Sequence, residues 1–247
     1  MMRTTEFDIR SQVDRRRGTM CGRYTYKLTW QEIVNLYRIT LPEDQPERLR
    51  ENYNVAPTHV MPIIRPAGNG RELMMAAWGL IPFWLKPEQL ARQAYSTINA
   101  RSDRIQTAPT YREPFKKRRC LVPATGWYEW QKLDPAGKKK KPFHFQPSAK
   151  PFAFGAVYDE WSADGKSKVT SFSIVTTPAP ASTAKYHDRA PLVLEESQFE
   201  DWMRLPPEAA AEMMRPYPGK VDIWEVSADV GQVKNNRPDL MERVALL

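Results

Sequence analysis

The chain has 247 residues, a length typical of one or two domains. Hydrophobic residues make up 41% and charged residues 27%, and no apolar run approaches the roughly 18 residues of a membrane helix. These figures exclude an integral membrane protein, a collagen-like chain and a wholly disordered chain. The formal net charge of +8 favours a polyanionic partner, nucleic acid first. Two cysteines are too few for a disulfide scaffold, and three histidines without ligand spacing predict no metal and no cofactor.

Residues 1–19 differ from the rest of the chain. They contain no apolar stretch of the kind that a secretion signal requires, so we expect a cytoplasmic protein without a membrane anchor. The segment ends in Arg15-Arg16-Arg17-Gly18 and has no periodicity. We interpret it as a disordered leader or a misassigned start before Met20. The alternative is a basic arm that binds nucleic acid.

The first predicted element is a helix after Thr29. Thr29 and Glu32 form a capping-box pattern, apolar residues follow at helical spacing to Tyr37, and Pro42 is expected to end the helix. The next elements are short strands over residues 60–64, 73–77, 120–122 and 143–146.

A hairpin and two helices are predicted in the second half of the chain. Strands at 152–158 and 169–176 flank an Asp164-Gly165 turn, which is a strong hairpin signal. Helices are expected at 197–204, with Ser197 and Glu200 as a capping box, and at 208–215, opened by Pro207. No repeat or linker divides the chain. The predicted fold is a single α+β domain, dominated by a barrel-like antiparallel sheet with a few flanking helices, over residues 20–230, followed by a tail at 231–247.

Two runs of basic residues are candidate phosphate contacts. Residues 116–119 (KKRR) adjoin an apolar strand and are the stronger candidate, whereas residues 138–141 (KKKK) are typical of a solvated hairpin tip.

Cys21 is the candidate nucleophile because it follows Met20. If translation starts at Met20 and that Met is removed, Cys21 carries a free α-amine and a thiol on adjacent carbons. The amine, with a pKa near 7.7–8.0, can attack an aldehyde to form a Schiff base. The thiol can then close a five-membered thiazolidine. The second cysteine, Cys120, fits a small buried hydrophobic residue better.

Three polar residues are candidate partners for this chemistry. His187 lies in a polar loop beside both signs of charge, Glu129 lies between aromatic residues that would raise its pKa, and Asn99 lies two residues before Arg101. Each also has a plain structural explanation: a surface loop histidine, a salt-bridged strand glutamate and a turn asparagine.

Seven short motifs stand in order along residues 20–230. They are residues 21–24 (CGRY), 53–58 (YNVAPT), 78–84 (WGLIPFW), 99–102 (NARS), 119–124 (RCLVPA), 126–130 (GWYEW) and 187–191 (HDRAP). This ordered set closely resembles the SRAP family, the SOS-response-associated peptidase proteins that shield abasic sites. The resemblance departs at Ala190, where the family usually has Met, and in the 19 residues before Met20, which would block the Cys21 amine.

The resemblance implies both a reaction and a site. It implies that Cys21 forms a thiazolidine with the ring-opened aldehyde of an abasic site in single-stranded DNA, with associated lyase activity. Asn99 would position the amine, while Glu129 and His187 would move protons. The residues implied near DNA are Arg23, Arg101, Arg189, Trp78, Trp84 and Trp127, although each tryptophan fits a core role equally well.

Two other functions remain open at this stage. The first is a thiol autopeptidase in which Cys21 attacks a peptide bond and His187 acts as base. The second is a non-covalent single-stranded DNA-binding module. In each case we expect a monomer.

Overall fold

The computed structural model describes residues 22–40, 49–90 and 97–244. The strands in these ranges are β1 (Tyr24–Tyr26), β2 (Asn52–Val55), β3 (Val60–Ala67), β4 (Gly70–Trp78), β5 (Asn99–Arg101), β6 (Arg119–Pro123), β7 (Gly126–Lys132), β8 (Lys140–Pro147), β9 (Phe152–Trp161), β10 (Val169–Pro178), β11 (Arg189–Pro191), β12 (Val193–Glu195) and β13 (Val221–Glu225). The helices are α1 (Trp30–Tyr37), α2 (Pro87–Leu90), α3 (Arg112–Lys117), α4 (Phe199–Arg204) and α5 (Pro207–Glu212), with 3₁₀ turns at Glu196–Gln198, Ala228–Gly231 and Pro238–Met241. The leader and Met20 lie outside the described residues.

The larger sheet closes on itself. Its strand order is β11-β10-β4-β3-β6-β9-β12, and β9 also pairs with β10. Strands β10, β4, β3, β6 and β9 therefore form a closed ring, which leaves no exposed edge within it. All pairings are antiparallel except those of β10 with β4 and with β5. The prediction of an α+β domain with a barrel-like, mainly antiparallel sheet is confirmed.

The smaller sheet has the order β13-β8-β7-β1-β2 and packs against the ring through aromatic side chains. The Tyr24 ring lies 5.2 Å from Trp78 and 5.9 Å from Phe154. Trp127, which pairs with Tyr24 across the strands, lies 6.0 Å from Phe154. Edge-to-face contacts of this kind add to the burial of large apolar area, so β1 and β7 are held firmly on the ring.

The local predictions for the first helix and the hairpin are confirmed. Thr29 and Glu32 form the predicted capping box of α1. The helix ends earlier than Pro42, because Arg38 adopts a left-handed conformation with φ of 51°. Strands β9 and β10 form the predicted hairpin.

The predicted capping box at residues 197 and 200 is wrong. The box is formed by Glu195 and Gln198. The carboxylate of Glu200 is instead engaged by Arg71 at 2.6 Å and by Arg204 at 2.7 Å, so it is not available to cap. The fifth helix begins at Pro207 as predicted but ends at Glu212.

The segment after residue 230 packs against the small sheet as far as residue 244. Leu240 is fully buried, and the Asn54 side-chain amide donates to the carbonyls of Val230, Gln232 and Asn235 at 3.0–3.1 Å. These contacts attach the segment to β2. No helix in the described ranges is long and apolar enough to cross a membrane.

Candidate functional site

Strand β1 brings the start of the described chain to β7. Tyr24 pairs with Trp127, and the Tyr128 amide donates to the Arg23 carbonyl at 3.0 Å. The two strands are antiparallel, so Gly22, which precedes Arg23 in the chain, lies on the side of Glu129. Cys21, which directly precedes Gly22, lies outside the described residues.

Glu129 occupies the inner face of the small sheet. It pairs with Phe143 on β8, and side chains of directly opposed residues share one face. Its residue exposure is only 3%. Burial makes a carboxylate costly to ionise unless hydrogen-bond partners stabilise it. Buried acidic groups of this kind are frequent among the acid–base residues of catalytic sites.

The loop that carries His187 covers this same face. The Tyr186 ring lies 4.6 Å from Phe143 and 5.3 Å from Phe145. Because Phe143 is the strand partner of Glu129, packing of Tyr186 places His187 beside the part of the sheet that holds the buried carboxylate.

The ring of His187 has a partner for each protonation state of Nδ1. The Arg189 amide donates to Nδ1 at 3.0 Å, which fits the tautomer with its proton on Nε2. The Asp188 carboxylate lies 2.9 Å from the same nitrogen and would accept a proton carried there. Nε2 can therefore act as donor or acceptor according to which partner Nδ1 uses.

The surroundings of His187 shift its pKa and favour the neutral imidazole. Burial lowers the pKa of His187 below its ordinary value, Asp188 opposes this, and Lys132 and Lys140 lower the pKa further. The side chain nevertheless retains 20% exposure, so it is accessible to a ligand. A neutral, partly accessible imidazole at pH 7 is suited to general acid–base chemistry.

Asn99 approaches from the ring side. It lies on β5, pairs with Ile174 on β10, and accepts a hydrogen bond from the Tyr111 hydroxyl at its carbonyl at 3.1 Å. Trp78 Nε1 donates to the preceding carbonyl of Ile98 at 2.8 Å. Since Trp78 also contacts Tyr24, the start of β5 and the start of β1 are adjacent to the same indole.

The three predicted arginines have different environments. Arg101 is exposed and paired with Asp103 at 2.9 Å, so it can exchange that partner for a phosphate. Arg23 is half-buried, which lowers its pKa, and its Nε has no hydrogen-bond partner among the described residues.

Arg189 is held inside the protein. It is 6% exposed, and it donates to the Thr176 carbonyl and lies 3.4 Å from Asp103. These contacts tie β11 to β10 and to the end of β5. They favour a structural role for this guanidinium, with Arg101 and Arg23 left as the more accessible pair.

The predicted tryptophans separate into core and surface. Trp78 and Trp127 are 1% and 2% exposed and stack on Phe172 and Phe145, so neither offers a face to a base. Trp84 is 44% exposed. Its loop is fixed, because the Phe83 amide donates to Asp159 at 3.0 Å and Trp161 donates to the Leu85 carbonyl at 2.6 Å.

Sequence reasoning missed Asp188 as a partner of His187, although the two are neighbours in the chain. It also missed the buried His144 on the opposite face of the sheet. Among the described residues no group of three or more His, Cys, Asp or Glu side chains could hold a metal ion. Glu129, His187 and Asn99 have polar side chains that can orient a reacting group and move protons.

The closed ring of strands, with a second sheet packed on it through β1 and β7, defines a class of small β-rich proteins. The chain belongs to the SOS response associated peptidase (SRAP) family, whose sequence pattern matches residues 20–233.

Relatives in distant organisms span most of this chain. The abasic site processing protein YoqW of Bacillus subtilis is 33% identical over 231 residues, which are 90% of this chain and 99% of that protein. The abasic site processing protein HMCES of Mus musculus is 24% identical and covers 92% of this chain, with 77% of its own length.

Solved structures share the fold. A protein from Bacteroides thetaiotaomicron has a TM-score of 0.70 at 29% identity, over 80% of this chain and 88% of its own. A protein from Bordetella bronchiseptica has a TM-score of 0.71 at 23% identity, over 84% of this chain and all of its own.

Proposed function

We propose that this protein recognises abasic sites in single-stranded DNA and links to them covalently through Cys21. The observation that carries the proposal is the strand pairing that leads Gly22 toward buried Glu129, beneath the loop of His187. The names of the relatives, abasic site processing proteins, support the same substrate.

The proposed reaction joins one aldehyde and one cysteine with release of one water. The neutral α-amine of Cys21 adds to the aldehyde carbon of the ring-opened sugar, and loss of water gives a C=N bond. The thiol sulfur then adds to that carbon while its proton passes to the nitrogen. The product is a thiazolidine. Elimination of the neighbouring phosphate from the open Schiff base would be the associated lyase reaction.

Asn99, Glu129 and His187 serve this sequence of steps as positioning and proton-transfer groups. Glu129 takes the proton released when the amine attacks. His187, once protonated from solvent, gives the Nε2 proton to the departing oxygen and returns to its neutral form, with the proton on Nδ1 accepted by Asp188. The Asn99 carboxamide orients the amine. General acid–base help of this kind contributes about 10²–10⁴-fold to a rate.

The non-covalent part of binding is assigned to exposed and half-buried groups. Arg101 and Arg23 contact phosphates, and Trp84 offers a face to an unstacked base. Phosphate contacts are indifferent to sequence, so selectivity comes from the aldehyde, which intact nucleotides lack. We place the protein as a monomer in the cytoplasm, where bacterial DNA lies.

The Cys21 amine is free only in a chain that begins at Cys21. We propose that translation starts at Met20 or that the leader is removed. Cleavage of a peptide bond by Cys21 and His187, the thiol autopeptidase activity, would be one route of leader removal.

The test compares Cys21→Ala with Cys21→Ser, both starting at Met20, on an oligonucleotide with one abasic site. Cys21→Ala should form no stable adduct yet bind within about threefold of the wild type. Cys21→Ser keeps the amine and a weaker ring-closing group, so it should give a shorter-lived adduct that borohydride traps. Equal loss of adduct and of binding in Cys21→Ala would contradict the proposal.

A further inference from the structure

The two lysine-rich runs of the chain differ in how their charges are used. In the first run, Lys116 and Lys117 lie 3.8 and 3.3 Å from Glu113, and Arg118 lies 3.1 Å from Asp159. Arg119 is buried and donates to backbone carbonyls. In the run that the sequence favoured for phosphate contact, Lys116 and Lys117 thus share one carboxylate, and Arg118 and Arg119 are engaged within the protein.

The second run forms the tip of the β7–β8 hairpin and keeps its charges exposed. Lys141 pairs with Glu225 at 3.0 Å. Lys138, Lys139 and Lys140 are exposed and have no carboxylate partner among the described residues. The nearby Asp134 carboxylate accepts the backbone amide of Lys138 at 3.2 Å and that of Lys139, so it shapes the turn and leaves the ammonium groups in solvent.

The exposed charges continue along the hairpin from its tip toward the loop of His187. Lys132 pairs with Lys140 across the strands, and both lie close enough to His187 to lower its pKa. Gln131 Nε2 donates to the Lys185 carbonyl at 3.4 Å, and the Lys185 ammonium lies 5.0 Å from the Tyr186 ring centre. We call the set Lys132, Lys138, Lys139, Lys140 and Lys185 the lysine edge.

We propose that the lysine edge binds the phosphates of the DNA strand on one side of the reacting nucleotide. The inference rests on the proposed function. Lys132 lies three residue steps along β7 from Glu129, about 10 Å at 3.3 Å per residue. An extended single strand spans at least the 3.4 Å per nucleotide of duplex DNA, so the edge begins within about three nucleotides of the site and extends outward.

The test uses two variants that remove the same number of charges. In Lys138→Gln/Lys139→Gln the hairpin tip loses two exposed ammonium groups, while Asp134 still holds the turn through backbone amides. In Lys116→Gln/Lys117→Gln two paired groups are lost. Binding to an intact strand of about 20 nucleotides is measured from low to moderate salt, together with crosslinking to abasic strands of 20 and of five nucleotides.

The tip variant should bind the long strand several-fold more weakly, with a salt slope reduced by about 1.4, because each lost contact contributes about 0.7. The paired-run variant should keep the wild-type slope within about 0.3. The abasic site can be placed two nucleotides from the 5′ end or two nucleotides from the 3′ end of the long strand. Crosslinking by the tip variant should be reduced for only one of these two placements. Crosslinking to the five-nucleotide strand should be equal in all three proteins.

Two results would overturn the lysine edge: equal slopes in both variants, or an equal loss on the five-nucleotide strand. Failure of the wild type to crosslink either strand would instead contradict the proposed function. The binding measurement on the intact strand would then still decide whether the lysine edge contacts DNA.

Discussion

Each face of the β7–β8 pair carries a buried ionisable residue beneath a covering segment, yet only the inner face is suited to acid–base chemistry. On the outer face, His144 lies under the C-terminal segment. On the inner face, Glu129 lies under the loop of His187. Neighbouring positions on the same strands therefore lie in a sealed environment on one side and in a site on the other.

The outer face is closed by packing. His144 is fully buried, 5.0 Å from Tyr128 and 4.7 Å from Trp224, and burial lowers its pKa to about 3. A Cβ on Gly126 would meet the His144 ring at 2.5 Å, so this position has no room for a larger residue. The imidazole is locked in its neutral form and behaves as part of the core.

The inner face has partners and access instead. His187 is also shifted toward the neutral form by burial, but it keeps 20% side-chain exposure and two competing partners at Nδ1. The comparison teaches that burial alone does not define a proton-transfer group. A partner for each protonation state and a route to solvent are needed as well.

The largest effect is expected from Glu129→Gln, which keeps the shape of the side chain but removes its charge. Crosslinking to abasic DNA should slow by about 100-fold, the usual contribution of a general base, with affinity for intact DNA within about twofold. Rapid-quench kinetics of the wild type and the variant would measure the crosslinking rate, and equilibrium binding would measure the affinity.

The matched control for Glu129→Gln is Tyr128→Phe, the next residue but on the outer face. It loses the hydroxyl bond to the Tyr53 carbonyl at 2.9 Å, which should cost about 1 kcal/mol of stability and leave the rate unchanged. If the two variants crosslink at the same rate, the distinction between the faces is lost.

The second prediction concerns acid stability and the outer face. The folded-state pKa of His144 lies below its unfolded value, so between pH 6.5 and about 3 the unfolded chain binds a proton that the folded protein rejects. Stability due to this group is complete above pH 6.5 and falls with acid. Between pH 7 and 4.5 the wild type should lose roughly 2 kcal/mol more of its free energy of unfolding than His144→Gln.

Urea unfolding of both proteins at the two pH values gives this difference, and shared carboxylate effects cancel in it. Parallel loss of stability in the two proteins would show that His144 is not held neutral by the fold.

The smallest effect is expected from Asp188→Asn. Asp188 raises the pKa of His187, but its side chain is 83% exposed, so its influence is limited by solvent. The inflection of the crosslinking rate that belongs to His187 should move to lower pH by less than about one unit. A pH–rate profile measures the shift, with His187→Gln as the reference that lacks the inflection; movement to higher pH is the contrary outcome.

Local features of the fold could be predicted from the sequence because their causes are local. The Thr29 and Glu32 cap and the Asp164-Gly165 turn each act within a few residues. Closure of the ring through β9 and β10 with β3, β4 and β6 depends on pairings far apart in the chain, for which a single sequence has no signal beyond strand content.

Site residues could be predicted from the sequence where the polarity of the neighbouring residues sets them apart. His187 stands beside Asp188 and Arg189, whereas His144 lies in an alternating apolar strand, and that difference is visible in the sequence. The face on which Trp78 or Trp127 packs is not visible in the sequence. For the first basic run, the spacing of Glu113 three and four residues before Lys116 and Lys117 was a readable signal of ion pairing, while the contact of Arg118 with Asp159 was not.

The most direct test of the central claim is one intact-mass spectrum. Protein expressed from the full reading frame is mixed with a single-stranded oligonucleotide bearing one abasic site. The account predicts a chain that begins at Cys21 and a stable adduct whose added mass is that of the oligonucleotide minus one water. A protein that begins at Cys21 and gains no mass would contradict it.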